Sequence, residues 1–429
     1  MAEPRLTVLD SGVRVVTEAM PTVRSVTLGV WIDTGSANET QDEAGLSHLV
    51  EHMLFRGSDR FGSLEIDQIF DAMGAELNAG TGKESTSVYA RVIDEHLPQA
   101  FDVVTDMVWH PRFAESDLAN EREIVLEEIA MYEDEPHDRV FDELGAAIFG
   151  DHPLGRAVIG RADVISATTT QQLTRFHAEH YAPGDIVIAA AGSLEHDAVV
   201  ELARAIDIAP GAAAPPVPPV PALLPPRLRF LRKDTEQYHL TLGAPALPRD
   251  DERRFVLRVL DNVLGGTSSS RLFQEVREHR GLAYNVYSFQ ALFAGTGEIG
   301  LYLGTRPDNV APALKVVADE LARLREDGIS ADELGRSKEN VKGRLVLSLE
   351  STASRMNRLG LAVLNGLPLL SLDEVVEHIE AVSLEDVNGL IRELLAPDRL
   401  SAAAIGADED VFRAALEPVA PGLVAEAVA

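Results

Sequence analysis

Apolar positions along the chain fall into short segments of two kinds. In the first half, "SVTLGVWIDTG" (25–35) has the alternating, β-rich composition of a strand. "AGLSHLVEHMLF" (44–55) and "LEIDQIFDAMG" (64–74) carry apolar residues at three- and four-residue spacing, as helices do. A strand-rich stretch, "AELNAGTGKESTSVYARVI" (75–93), and a further helix, "LPQAFDVVTDMVW" (97–109), complete this set. The second half repeats the order. A strand, "YHLTLGAPAL" (238–247), precedes two helices, "RRFVLRVLDNVLGG" (253–266) and "SSRLFQEVREH" (269–279). Strands over 283–305 and a helix over 309–324 follow. A repeat of this size predicts two related α/β domains rather than a solenoid.

Between the halves lies "APGAAAPPVPPVPALLPPRLRF" (209–230), whose prolines fit neither helix interiors nor central strands. It predicts a semi-rigid linker over 209–226, between a domain over 1–208 and a homologous one over 227–429. No apolar run reaches the roughly 18–20 residues that a membrane span needs. The first twenty residues lack a basic patch followed by an apolar block, so no secretory signal is expected. With 429 residues and no cysteine, the chain has neither disulfides nor thiolate ligands, and a cytoplasmic location is expected. The formal charge of −31 repels a phosphate backbone, which excludes nucleic acid as the expected partner.

Candidate chemistry interrupts the helical pattern at "HLVEHML" (48–54). Residues four apart share a helix face, so His48 and His52 can offer two imidazoles to one metal ion. Glu51 lies beside that face, where a group acting on a metal-bound water would sit. Leu49, Val50, Met53 and Leu54 supply the apolar frame. The aligned stretch of the second half, "RVLDNVL", keeps the frame but has Arg258, Asp261 and Asn262 instead. A catalytic zinc usually takes three protein ligands. The third ligand is expected from "LANEREIVLEEIAMYEDEP" (118–136), a helix by composition. Glu121 and Glu128 share one face of it, and Glu123 and Glu127 form a separate pair; spacing alone leaves both pairs open.

"HLVEHMLFRGS" followed by "NEREIVLEEIAMYEDEP" resembles the inverzincin metallopeptidases of the pitrilysin/insulinase (M16) family, and most nearly its mitochondrial-processing-peptidase-like (M16B) branch. "GAELNAGTGKESTSVYARV", "HPLGRAVIG" and "RGLAYNVYS" extend the resemblance over nearly the whole chain. It implies an α+β protein of two homologous domains, each a mainly antiparallel sheet packed with helices, in a clamshell arrangement. It implies one Zn2+ per chain, held by His48, His52 and Glu128, the last 76 positions after His52. Glu51 would be the general base and Glu121 a supporting carboxylate, orienting His48 or His52. In the family an Arg and a Tyr at the spacing of Arg277 and Tyr284 bind substrate backbone and stabilise the oxyanion; Arg280 competes with Arg277 for this role. An extended peptide is expected to add as a strand beside Asn78, Ala79 and Thr81, where Gly80 and Gly82 admit another backbone.

These expectations describe a zinc-dependent endopeptidase acting on peptides or unfolded segments. A homodimer is expected, with a heterodimer with a family relative as the other assembly and a non-catalytic assembly subunit as the alternative function. Three other histidine motifs are expected to be structural. "RFHAEHYAPGD" places Glu179 off the face of His177 and His180, while His137 and His152 lie in turn-like sequence. "VLGGTSSSRLF" (263–273) lacks the frame of a phosphate-binding loop.

Overall fold

The structure, a computed structural model, describes residues 3–208, 217–220 and 224–425. The expected linker, 209–226, therefore lies partly outside the described residues. The chain forms two compact units, each with one sheet. The first sheet contains β1 (Arg5–Val8), β2 (Arg14–Ala19), β3 (Ser25–Ile32), β4 (Glu76–Thr81), β5 (Thr86–Ile93) and β6 (Ile186–Gly192) in the order β1-β2-β6-β3-β5-β4. Only β2 and β6 pair in parallel. The second sheet contains β7 (Leu228–Arg232), β8 (Tyr238–Ala246), β9 (Asn285–Leu292), β10 (Gly297–Thr305) and β11 (Ser401–Gly406) in the order β7-β11-β8-β10-β9. There only β7 and β11 are parallel. Without β1, the two orders and directions match strand for strand. The expected repeat is thus present as topology, and the expected α+β class with mainly antiparallel sheets is observed.

Burial alternates along the central strands, as a period of two requires. In β6, Ile186, Ile188 and Ala190 join the larger core with Leu49, Val50, Met53 and Leu54. Val187, Ala189 and Ala191 face the other way and pack with Trp31, Met356, Leu359 and Val363. The helix Thr352–Leu364 therefore covers the second face of the first sheet, although it comes from the second half of the chain. At Gly360 the indole of Trp31 lies so close that a Cβ would stand 2.2 Å from its Nε1. Arg355 and Arg358 of this helix both reach the buried Glu18, Arg358 Nη2 donating at 3.2 Å. Removing that carboxylate would leave buried guanidinium charge and cost about 3–5 kcal/mol.

The reverse exchange occurs in the second unit. The helix Pro136–Phe149, from the first half, sets Leu144 and Ile148 against the bare backbone of Gly243. Arg229 of β7 donates to its Glu143 at 2.6 Å. The compact units are therefore not the contiguous stretches 1–208 and 227–429: 131–155 joins the second unit and 346–371 joins the first. A sheet buried on both faces needs two covers. Local periodicity shows that a helix has an apolar stripe, but not which sheet the stripe meets.

Candidate metal centre

The helix Leu46–Leu54 buries Leu46, Leu49, Val50, Met53 and Leu54, which leaves His48, Glu51 and His52 along its less buried side. The helix Glu115–Asp134 buries Leu118, Glu121, Val125 and Ile129. Arg122 ties it down, its Nη2 donating to the carbonyl of Thr168 at 2.6 Å. This phase decides between the glutamate pairs. Glu123 and Glu127 are exposed, whereas Glu121 is buried and Glu128 half-buried.

Three donor atoms converge. His48 Nε2 and His52 Nε2 are 3.2 Å apart, and Glu128 Oε2 lies 3.8 Å from the first and 3.5 Å from the second. Bonds of about 2.0–2.1 Å to a tetrahedral ion place ligand atoms roughly 3.3 Å from one another. Among the described residues this is the one His/Cys/Asp/Glu group with metal-holding spacing. The two imidazoles differ in protonation. Burial, with the neighbouring His52 second, pushes His48 down to about 4, so its imidazole is neutral at pH 7 and has a lone pair to give. His52 shifts upward: burial opposes its charge, but the hydrogen bond to Glu121 and the nearby carboxylates outweigh burial. Nδ1 of His52 donates to Glu121 Oε2 at 3.0 Å, which fixes the tautomer with Nε2 free toward the cluster. Glu121 thus orients His52, which the sequence left open between the two histidines. Its other oxygen forms an ion pair with Arg56.

Glu51 accepts a hydrogen bond from the hydroxyl of Thr81, and burial raises its pKa above the usual carboxylate range. Thr81 ends β4, which among the described residues pairs only with β5 and so forms an edge of the sheet. Asn78 is exposed on this edge, and Ala79 and Thr81 are half-buried. Thr81 therefore has a second contact that the sequence did not suggest, a direct hold on Glu51.

In the second unit, Arg277 lies in a π-helical turn, Phe273–Glu278. Its guanidinium stacks on the rings of Phe273 and Tyr284, 4.6 and 4.7 Å from the centroids. Tyr284 is 70% exposed. Arg280 instead donates to the carbonyl of Glu275 at 2.7 Å and pairs with its carboxylate. Of the two arginines, Arg277 is the one beside the tyrosine.

Two family models match this sequence, "Insulinase (Peptidase family M16)" over residues 14–162 and "Peptidase M16 inactive domain" over residues 167–341. This chain belongs to the M16 peptidase family. A zinc protease of Streptomyces coelicolor is 44% identical over 95% of this chain and 90% of its own length. A zinc protease of Bacillus subtilis is 42% identical over 91% of this chain and 95% of its own. Among solved structures, a peptidase M16 inactive domain from Pseudomonas fluorescens has a TM-score of 0.86 at 25% identity, covering 94% of this chain and 98% of that one. A Helicobacter pylori protease has a TM-score of 0.89 at 21% identity, covering 94% and 99%, and shares the fold.

The histidines of the other three motifs in this M16 chain have structural partners. His177 Nε2 bonds the carbonyl of Val108 at 2.7 Å, and burial pushes its pKa down to about 4. His180 is buried beside Thr34. His152 bonds the carbonyl of Pro218, and His137 bonds the hydroxyl of Tyr287. Two residues around the centre escaped the sequence reading, Arg56 and the buried Glu39. Arg56 lies four residues beyond His52, on the same side of the chain's next turn, which was the available signal. For Glu39 the hint was Gly45, a helix start with no side chain to cap it. Among the described residues, no helix is long and apolar enough to cross a membrane.

Proposed function

We propose that this chain is a zinc-dependent endopeptidase that cleaves peptides or extended, unfolded segments of protein. The observation that carries the reading is the meeting of three possible donors, His48, His52 and Glu128, with a fourth group, Glu51, that is not needed as a ligand. Zinc held by the three would supply a Lewis acid that polarises a peptide carbonyl and acidifies a water. Glu51 takes the water's proton and passes it to the leaving amine, work for which a carboxylate of raised pKa is suited. Thr81 holds Glu51 in place, and Glu121 holds His52. β4 is an edge strand, and an extended peptide is proposed to add as a further strand beside Asn78, Ala79 and Thr81. Folded substrates lack such a free strand, so denaturing a test protein should make it cleavable.

Arg277 and Tyr284 are assigned to substrate backbone and to the oxyanion. Their stacking pre-orders a guanidinium and an exposed phenol for donating hydrogen bonds. The assembly assigned to the enzyme is a homodimer, read as a mass in solution of about twice the 46.4 kDa chain. An assembly subunit without activity is the weaker reading, because Glu51 and all three donors are present.

The test is Glu51→Gln. It should retain one zinc per chain and lose about 10²–10⁴-fold in peptide turnover. Unchanged cleavage would remove Glu51 as the base, and a wild-type protein without stoichiometric metal would remove the whole reading. Tyr284→Phe should lower kcat by roughly tenfold or more with a smaller change in KM. Equal activity would reject its assignment.

A further inference from the structure

The helix that carries His48, Glu51 and His52 has no cap of its own. Its N-cap residue is Gly45, at φ +103°, in the left-handed region where a Ser or Asp would be strained. Space forbids a side chain there as well, since a Cβ on Gly45 would stand 2.9 Å from Ile165 Cδ1 and 3.0 Å from Gly160 Cα. The exposed backbone donors are met from outside the helix. Glu39 is 4% exposed, and its two carboxylate oxygens accept the N–H of Gly45 at 2.9 Å and of Ser47 at 2.7 Å. Ser47 directly precedes His48.

Glu39 is itself braced. Arg156 donates to its carbonyl, and Lys83 donates to the carbonyl of Arg156. The N–H groups of Ser36 and Ala37 bond the carbonyls of Gly82 and Lys83, in the turn that leaves β4. One connected set of bonds therefore runs from the peptide-edge turn through 36–39 to the first turn of the metal helix. Burial pushes the Glu39 carboxyl up to about 7, ahead of the opposing bonds from Gly45 and Ser47.

We propose that Glu39 is a positioning residue for the metal centre: by gripping the Gly45 and Ser47 N–H groups it sets the turn that presents His48, and so the spacing of the three donors. This role rests on the zinc-peptidase reading. Glu39→Ala removes both acceptors, Glu39→Asp shortens their reach, and Glu39→Gln keeps one oxygen that can accept.

The test measures zinc affinity by chelator competition, the visible spectrum of the cobalt-substituted protein, and kcat and KM on one peptide, with circular dichroism to follow the fold. Zinc affinity should fall about tenfold or more in the Ala and Asp variants, with Gln between them and wild type. The cobalt bands should shift or weaken, and kcat should fall while KM stays within about twofold. Folded variants with the wild-type cobalt spectrum and zinc affinity would overturn the role of Glu39 alone. A lowered melting temperature with an unchanged spectrum would overturn it too, by showing a purely structural cap. If Ala and Asp do not fold, Glu39→Gln decides by the same spectrum. Wild-type protein that takes up no stoichiometric zinc would overturn the metal centre itself, and with it this role.

Discussion

The helix Leu46–Leu54 of the first unit and the helix Arg254–Leu264 of the second occupy the same place in the order of elements, and they are held in closely similar ways. Each buries an apolar frame: Leu49, Val50, Met53 and Leu54 in one, Val259, Leu260, Val263 and Leu264 in the other. Each offers an acidic side chain to a hydroxyl on an edge strand, Glu51 to Thr81 of β4 and Asp261 to Ser288 of β9, the latter at 2.5 Å. Each bonds a side chain of a later helix, His52 to Glu121 at 3.0 Å and Asn262 to Asn340 at 2.9 Å. The donors differ. Arg258 replaces His48 and cannot coordinate a cation, and the amide of Asn262 replaces an imidazole. Backbone and bracing are therefore common property of the two units, while metal competence rests on a few donor atoms.

The comparison breaks most sharply when matching residues are removed. His52→Ala should abolish stoichiometric zinc and lower peptide turnover by at least about 10³-fold. Asn262→Ala should leave zinc at one per chain and change turnover by less than about threefold, with about 1 kcal/mol of stability lost. Metal analysis and steady-state rates on the two proteins decide it. Zinc loss from the Asn262 variant would show that the second unit contributes to binding.

The bracing carboxylate is the next step down. Glu121→Gln should weaken zinc by roughly 10–100-fold, because the amide no longer balances the charge of Arg56 or holds the His52 tautomer as firmly. Asn340→Ala should leave zinc affinity unchanged. Chelator competition on both variants measures the contrast, and equal affinities would mean that the Glu121 contact is only packing.

Much of this centre could be read from the sequence, and the limits have physical causes. The H-x-x-E-H spacing places His48, Glu51 and His52 because a helix is a local structure with a known period. The second half announced its different chemistry at Arg258, Asp261 and Asn262 for the same reason. The exchange of Pro136–Phe149 and Thr352–Leu364 between units was hidden, because an apolar stripe does not name its partner sheet. Glu121 was found but its target was not, since spacing gives the face of one helix and not its rotation against another. Glu39 lies in a non-helical stretch between two short 3-10 turns, and its bonds to Gly45 and Ser47 follow no periodic pattern.

Two helix-capping glutamates, one in each unit, sharpen the comparison at the smallest scale. Glu333 caps Ala331–Ser348 from within it, accepting from the N–H and hydroxyl of Ser330 at 2.8 and 2.9 Å. Arg271 adds a two-point contact at 2.7 and 3.0 Å. Burial alone would raise its pKa, but these bonds outweigh burial and hold it at about 2, below its ordinary 4.5. Glu39, capping from a distance and deeper, is raised to about 7. Their contributions to stability must then run in opposite directions with pH. The contribution of ionised Glu333 is fully present above about 4.5 and is lost as pH falls toward 2. That of Glu39 is fully present below 4.5 and is lost as pH rises through 7. Glu333→Gln should therefore cost on the order of 1–2 kcal/mol near pH 7, with the deficit shrinking as pH falls from 4.5 toward 2. Glu39→Gln should gain on the wild type in relative stability as pH rises from 4.5 to 8. Urea unfolding of metal-free protein at several pH values separates the two slopes. Parallel slopes would mean that the two caps sit in equivalent electrostatic surroundings, and that the first unit's departure from the second is confined to its metal donors.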